Sequence, residues 1–506
     1  MKRASMQSLR SCLSIIVLSC ALCIFKSGIC EAQQQAKVMT YNLLNYDAAD
    51  TSRNTFFRTV INAVRPDLLA VQEIIGLNSV NTFRRQVMNA VSINYNSAFF
   101  IDGPDTDNAL FYDSSKFKFI FNTAIPTAYR NLNEFKMLHK ASGDTFRIYA
   151  CHLKADTGTL NQQRRAAQVD SLRKRTDALP PGTSFITCGD FNMYASTEPA
   201  YQKLILVNSS DGDFIDPLSM PGIWNNSSYA AYHTQSTRRR SFGSGATGGL
   251  DDRFDIILNS SSVSSSTGRV RYLTSSLNPI GNDGQHYNDS INRIPNNAVT
   301  QTVANALHYA SDHLPVTSIY QFYPSSTSLN LTIAVEGFYN AVSGRLNIRD
   351  TITAYLRSTV SPFNAVDSSR AVIDSTTLSG QFIFSNVYTG LYYIALKGRN
   401  IIETWSRAGG ELILAGSASN YDFSVSQSNA YGNNLTLNGS RFCIYSGDIN
   451  NDGIVDAADV AVADNDAFEF VTGYVDSDVN GDMITDASDV QIVDNNAFNI
   501  VTRITP

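Results

Sequence analysis

The sequence predicts an α/β domain over residues 33–323, an all-β sandwich over 324–445 and a small α-helical, calcium-loop module over 446–506. Three observations lead there. From Lys37 to Tyr323 short apolar runs alternate with stretches of helical periodicity, the pattern of strands and helices layered in one domain. Beyond the linker FYPSSTS that periodicity fades, and strand-like runs follow one another with turn residues at short intervals, as in a β-sandwich. The C-terminal stretch then repeats itself: GDINNDGIVDAADVAVADNDAFEFVTGY is echoed by SDVNGDMITDASDVQIVDNNAFNIVTRI. A length of 506 residues exceeds one ordinary domain, and 43% hydrophobic against 17% charged residues excludes wholesale disorder.

Residues 1–32 read as a targeting segment. Lys2, Arg3 and Arg10 precede the apolar run Cys12–Phe25, and Cys30-Glu31-Ala32 offers a cleavage point. A signal peptide removed before Gln33, and hence export, is the expectation. An uncleaved anchor, or lipidation at Cys20 after Val17-Leu18-Ser19, is the alternative. No other segment has the length and apolarity to span a bilayer. Four of the seven cysteines lie in this leader. Cys151, Cys188 and Cys443 remain, without metal spacing, which excludes a disulfide scaffold or zinc site. A bridge between Cys151 and Cys188 on neighbouring strands is left open.

In the α/β region AKVMTYNLL, DLLAVQE, ALFYD, FRIYACHL, SFITCGD, FDIIL and PVTSIYQF read as strands, several apolar on both faces. RNTFFRTVINAV, VNTFRRQVMNAV and NQQRRAAQVDSLRKRTDAL read as amphipathic helices. The stretch 260–300, rich in Ser, Asn and Gly, reads as loop. Several strands end in polar residues suited to chemistry: Asn42, Glu73, His152, Asp190 with Asn192, Asp255, and Asp312-His313. Such residues gather at one sheet edge, where α/β proteins place their sites. Singly each has a bland reading as a turn, cap or structural histidine; together and in this order they are hard to explain so, and the residue types fit phosphate-ester hydrolysis. Carboxylates can hold Mg²⁺ or Mn²⁺ against developing phosphate charge, and a carboxylate or imidazole can take a proton from water.

In this order the segments resemble the endonuclease/exonuclease/phosphatase superfamily, which includes deoxyribonuclease I, abasic-site endonucleases, bacterial sphingomyelinases and inositol-phosphate phosphatases. The resemblance spans nearly all of 36–323. It implies a four-layer α/β sandwich, deoxyribonuclease I-like, with two central sheets between helices. It also implies roles: Glu73 as metal ligand with Asn42 beside it and Asp312 near the metal, and Asp190 and Asn192 positioning water and phosphate. His313 is held by Asp255, and His152 contacts the phosphate or leaving group. Asp190 and His313 are both candidates for the base. Asp105 or Asp107 could orient His152, and Arg130 could touch phosphate or be a plain surface arginine. Arg164 and Arg165 read as a solvated helix face.

Charge separates the chain. Residues 33–323 carry 26 Lys+Arg against 24 Asp+Glu, whereas 446–506 carry one Arg against 13 acids. The near-neutral catalytic half, with Arg84-Arg85 and the run Arg238-Arg239-Arg240 before the Asp255 strand, leaves nucleic acid open as substrate. Arg239 is the central member of that run. A secreted nuclease is the first reading, and a sphingomyelinase-like or other phosphate-ester hydrolase the second. A non-catalytic adhesion protein on an enzyme fold is the third.

In the tail, Asp448, Asn450, Asp452, Asp456 and Asp459 stand at positions 1, 3, 5, 9 and 12 of a loop, and Asp478, Asn480, Asp482, Asp486 and Asp489 repeat the spacing. Alternate oxygens on a tight loop can surround a hard cation, with the carbonyls of Ile454 and Ile484 at position 7. This pattern resembles a dockerin module, which implies two Ca²⁺ and a protein or cell-surface partner. Met483 replaces the glycine that stands at 453 in the first loop, so a weaker second site is expected.

Overall fold

The computed structural model describes residues 35–241 and 243–506, and the leader and its cleavage point lie outside them. Among the described residues no helix is long and apolar enough to cross a membrane. The described residues divide into two compact units, those up to 140 with 144–323, and 141–143 with 324–506.

The first unit holds two sheets. One runs β11 (Val270–Tyr272), β13 (Val316–Phe322), β1 (Gln35–Tyr46), β2 (Leu68–Ile74), β4 (Asp107–Asp113) and β3 (Tyr95–Ser97), with β12 (Asn278–Pro279) also on β13. The other runs β5 (Phe117–Ile125), β6 (Leu132–His139), β7 (Thr145–His152), β8 (Phe185–Asp190), β10 (Asp255–Ser260) and β9 (Phe214–Ile215). β1–β2 and β7–β8 are parallel; the remaining pairs are antiparallel.

Strand alternation builds the layers. Val38, Leu68 and Ala70 join Ile148, Ile186, Cys188 and Ile257 in a core drawn from both sheets. Their neighbours Met39, Leu69 and Val71 point the other way, against helix α1 (Asn54–Val64) and helix α5 (Gln301–Ala310). On the far face of the second sheet Tyr149, Cys151, Phe185 and Leu258 pack on helix α3 (Thr159–Asp177) and helix α4 (Pro199–Ile205). Helix, sheet, sheet and helix make the four layers that the resemblance implied. Because period-2 alternation sends every strand residue into one core or the other, these strands are apolar on both sides.

The same alternation settles the cysteines. Cys188 belongs to the inter-sheet core and Cys151 to the outer one, so they face opposite sides of adjacent strands; both thiols are free and buried. The expected helix at 80–91 is broken: α2 (Gly76–Phe83) passes into a π-helical turn at Arg84–Met88 and a last turn at Asn89–Val91. Strand β5 and helix α5 went unread in the sequence. β5 alternates exposed and half-buried residues along much of its length, so it lacks the apolar run that marks its neighbours.

In the second unit, Thr327–Thr332 pairs with Ser379–Phe384 and Ala418–Asp422. A second sheet is centred on Thr351–Ser358, between Ala365–Val372 and Gly390–Lys397. Helices α6 (Ala457–Phe468) and α7 (Ala487–Phe498) follow, each opened by a reciprocal cap, Asp456 with Asp459 and Asp486 with Asp489. Leu329, Leu356, Phe382 and Ile394 from the strands share one apolar core with Val455, Ala463, Val479 and Val493 from the repeat.

Candidate active site

Register aligns the functional side chains before any side-chain contact is considered. On the second sheet His152 pairs with Asp190, and Asp190 with Asp255, so the three stand abreast on β7, β8 and β10. On the first sheet Asn42 pairs with Gln72, one residue short of Glu73. Gly189 makes the approach of β8 to β7 feasible: its φ is +139°, and a Cβ there would fall 1.9 Å from the Cys151 carbonyl oxygen. Glu73 and Asn192 both hold left-handed backbone, φ 55° and 50°, a conformation that non-glycine residues adopt at a cost and that clusters at functional sites.

The two sheets are stitched at this edge. Asn42 Nδ2 donates to Glu73 Oε1 (3.0 Å) and across to Asp190 Oδ2 (3.1 Å). The backbone N–H of Asn45 donates to Glu73 Oε2 (3.0 Å). Asp190 Oδ1 accepts from the Asn192 N–H (3.1 Å), while Asn192 Nδ2 donates to the Leu153 carbonyl (3.3 Å). His152 Nε2 lies 3.5 Å from Asp190 Oδ2 and 3.7 Å from Glu73 Oε1. His313 Nδ1 is 2.7 Å from Asp255 Oδ2, and its Nε2 is 3.8 Å from Asp190 Oδ2. Ser311 accepts from the His313 N–H and donates to the Asn42 carbonyl, tying the His313 segment to β1.

Glu73, His152 and Asp190 offer one ligand atom each within 4.8 Å of one another, the one such group of His, Cys, Asp or Glu among the described residues. The metal set expected from sequence was Asn42, Glu73 and Asp312. In the structure Asn42 orients two of the three clustered ligands. Asp312 lies on the His313 side, where its Oδ2 accepts from the Ala246 N–H (2.6 Å) and its Oδ1 is buried with no protein partner.

Burial governs the charges. Asp190 is pushed up to about 7 by desolvation, with Asp255 and Glu73 adding to the rise and His313 and Asn42 opposing it. His152 sits well below the usual histidine range because of burial and the nearby Arg130, so it is a neutral imidazole able to ligate. Burial also works against charge on His313, but the carboxylates of Asp255, Asp190 and Asp312 together outweigh it and hold the ring well above that range.

Several expectations need correction. Neither Asp105 nor Asp107 orients His152, whose Nδ1 is buried without a partner. Asp105 instead accepts from Arg130 Nε (2.9 Å), and Arg130 Nη1 lies 3.3 Å from His152 Nε2, so Arg130 stands at the site rather than on an open surface. Arg165 is no solvated residue: it is fully buried and paired through two nitrogens with Glu198. Arg238 is likewise buried, donating to the carbonyls of His308 (3.0 Å) and Ser244 (3.0 Å), whereas Arg239 and Arg240 are exposed. Gln235 was missed. Its Nε2 is 2.6 Å from His313 Nε2 and 3.5 Å from Asp312 Oδ2; a lone glutamine in HTQST gives no sequence signal.

In the C-terminal loops Asp459 Oδ1 accepts from the N–H groups of Ile449 and Asn450, and Asp489 Oδ1 from those of Val479 and Asn480. Asp448 is buried, and its Oδ1 has no protein partner. Gly453 and Met483 both hold positive φ, 92° and 73°.

The sequence model of the Endonuclease/Exonuclease/phosphatase family matches residues 39–313, more than half of the chain. The protein belongs to that family, whose members are phosphoester hydrolases that use divalent metals. No curated protein matches the chain. Among solved structures it is similar to truncated TDP2 of Caenorhabditis elegans, at 17% identity and TM-score 0.38, covering 57% of this chain and 98% of that one. It is also similar to the human nocturnin catalytic domain with bound sulfate, at 21% identity and TM-score 0.38, covering 57% and 95%. A family protein from Bacteroides thetaiotaomicron follows at 15% identity and TM-score 0.35, covering 57% and 98%.

Proposed function

We propose that this protein is an exported, metal-dependent phosphodiesterase that hydrolyses nucleic acid, with two Ca²⁺ in its C-terminal loops. The observation that carries the reading is the joining of two groups where the two sheets meet: Glu73, Asp190 and His152 as a ligand set, and His313 held by Asp255. The two carboxylates suit Mg²⁺ or Mn²⁺, with the imidazole better matched to the softer Mn²⁺, and either ion when bound would supply charge stabilisation for the phosphate.

The chain's own residues do the rest. Asp190, 3.5 Å from His152 and 3.8 Å from His313, is placed to take a proton from water. Asn42 fixes its free rotation, and Asp255 fixes the ring of His313. Arg130, braced by Asp105, offers a guanidinium to a phosphate oxygen. Exposed Arg239 and Arg240 add sequence-independent attraction for a polyanion. In the tail, the orphaned Asp448 oxygen and its rise to about 6, from burial and then from Asp459, describe a carboxylate short of a cation.

Parallel assays on DNA, RNA, sphingomyelin and a phosphomonoester, with Mg²⁺, Mn²⁺ and EDTA, test the reading. Hydrolysis of nucleic acid that EDTA abolishes is expected. Preference for sphingomyelin would overturn the substrate, and turnover in EDTA would overturn the metal. A secreted product that still begins at Met1 would overturn cleavage before Gln33.

A further inference from the structure

A cavity of about 490 Å³ opens beside the proposed metal ligands, between the β1–α1 loop, helix α5 and the segment after Arg238. Both of its walls are pinned to the site. Asn45 lines it and donates its N–H to Glu73 Oε2 (3.0 Å). Opposite, Ser244 and Arg238 line it, and the same segment reaches Asp312 through the Ala246 N–H (2.6 Å). A group bound here would lie beside Glu73 and Asp312.

The chemistry of the lining is specific. Phe56 from α1 and Tyr309 from α5 stand with ring centroids 5.2 Å apart and planes inclined by 32°, and both are only half-buried. Arg53, just before α1, donates to the carbonyls of Leu43 (2.9 Å), Ala310 (2.8 Å) and Leu44 (2.8 Å), so it clamps the end of β1 to the end of α5 and fixes the wall before any ligand arrives. At the solvent side Asp47 and Asp50 present exposed carboxylates.

We propose that this cavity is a nucleobase subsite, holding a base that flanks the scissile phosphodiester; the proposal rests on the nuclease reading above. A flat aromatic ligand matches the Phe56–Tyr309 surface, since every base has a π-face to stack. The Asp47 and Asp50 oxygens accept from exocyclic amino or ring N–H groups. The guanidinium groups of Arg53 and Arg238 oppose the pull that the aromatic pair, Asp47 and Asp50 exert on a cationic occupant such as the quaternary ammonium of a choline lipid. The cavity also has the size of an ordinary small-molecule site.

The test compares an oligonucleotide that the wild-type enzyme cleaves with the same strand carrying abasic sugars at both positions flanking the cleaved bond. Wild type should show a KM roughly 5- to 100-fold lower on the intact strand, the range that base stacking supplies. Tyr309→Ala should erase that difference while leaving kcat within about threefold, since Tyr309 is not among the residues assigned to the metal, the proton or the phosphate. Where Tyr309→Ala loses its thermal transition, Asp47→Ala, at an exposed carboxylate, carries the same comparison. A wild-type enzyme indifferent to the missing bases, or a variant that keeps the full difference, overturns the subsite alone. Competitive inhibition by phosphocholine that Tyr309→Ala relieves overturns it in favour of a lipid headgroup. Failure to cleave any nucleic acid, with another phosphodiester hydrolysed, overturns the substrate class instead.

Discussion

His313 and Asp255 meet across 2.7 Å between the two sheets, His313 from the turn that leads into β13 of the first and Asp255 from the first residue of β10 of the second. The pair thus closes the edge where the two sheets come together, and the imidazole is aimed before substrate arrives. His313→Ala should lower kcat by about 10²–10⁴, the usual worth of a positioned acid–base group. Asp255→Asn should cost less, because it keeps the shape and loses the charge. Combined, the two should be strongly non-additive, as groups acting as one unit are. Glu73→Ala should lose at least as much rate as His313→Ala while unfolding at the wild-type temperature, because Glu73 lies at a polar strand end. Steady-state kinetics with a thermal melt on each variant checks all four.

Adjacent arginines should behave as opposites. Arg238→Ala removes a buried guanidinium and its bonds to the half-buried His308 and the exposed Ser244 carbonyls, and a loss of about 1–3 kcal/mol in stability is expected. The exposed Arg239→Ala/Arg240→Ala pair should change stability by less than about 0.5 kcal/mol. It should raise KM on nucleic acid instead, and flatten the dependence of log KM on log salt. Urea melts and KM at several salt concentrations separate the two effects.

Met483 holds φ 73° where Gly453 holds φ 92° in the matching turn. Left-handed backbone costs a side-chain-bearing residue about 1–2 kcal/mol, part of which glycine's extra chain entropy offsets. Met483→Gly should therefore tighten calcium binding at the second loop severalfold and leave the first unchanged. Calorimetric titration of the full chain reads both sites.

Removing 446–506 should destabilise the strands that precede it, because Val455, Ala463, Val479 and Val493 share their core. Deletion takes the three repeat valines out of that core, at roughly 1.5–3 kcal/mol for each valine whose burial is lost. Limited proteolysis should cut the truncated protein within 324–445 and spare the intact one. Hydrolysis should persist, since every residue of the proposed site precedes 324.

The strands beside Asn42, Glu73, His152, Asp190, Asp255 and His313 were legible because each is an apolar run with the polar residue at or just outside one end, and both faces of those runs are largely buried. The ligand grouping was legible only in part. Sequence supplies donor types, but His152 joins Glu73 and Asp190 because β7 and β8 pair in parallel with His152 level with Asp190. Arginines were the hardest to place. Arg165 and Arg238 look like surface charge by type, and only the carbonyls and the Glu198 carboxylate gathered around them make burial affordable.

By itself the sequence determined the α/β class, the family, the strand ends that bear chemistry and the two repeated acidic loops. All of these are written in local periodicity and fixed spacing, which a chain carries before it folds. Tertiary structure alone decided which of those strand ends meet, that Asp312 stands with His313 rather than among the clustered ligands, and that Arg130 reaches His152. It alone decided too that the acidic repeat buries its valines in the same core as the β-strands. Contacts between residues distant in the chain depend on register and on which face packs against which, and a single slip of register would turn each of these side chains to the opposite face.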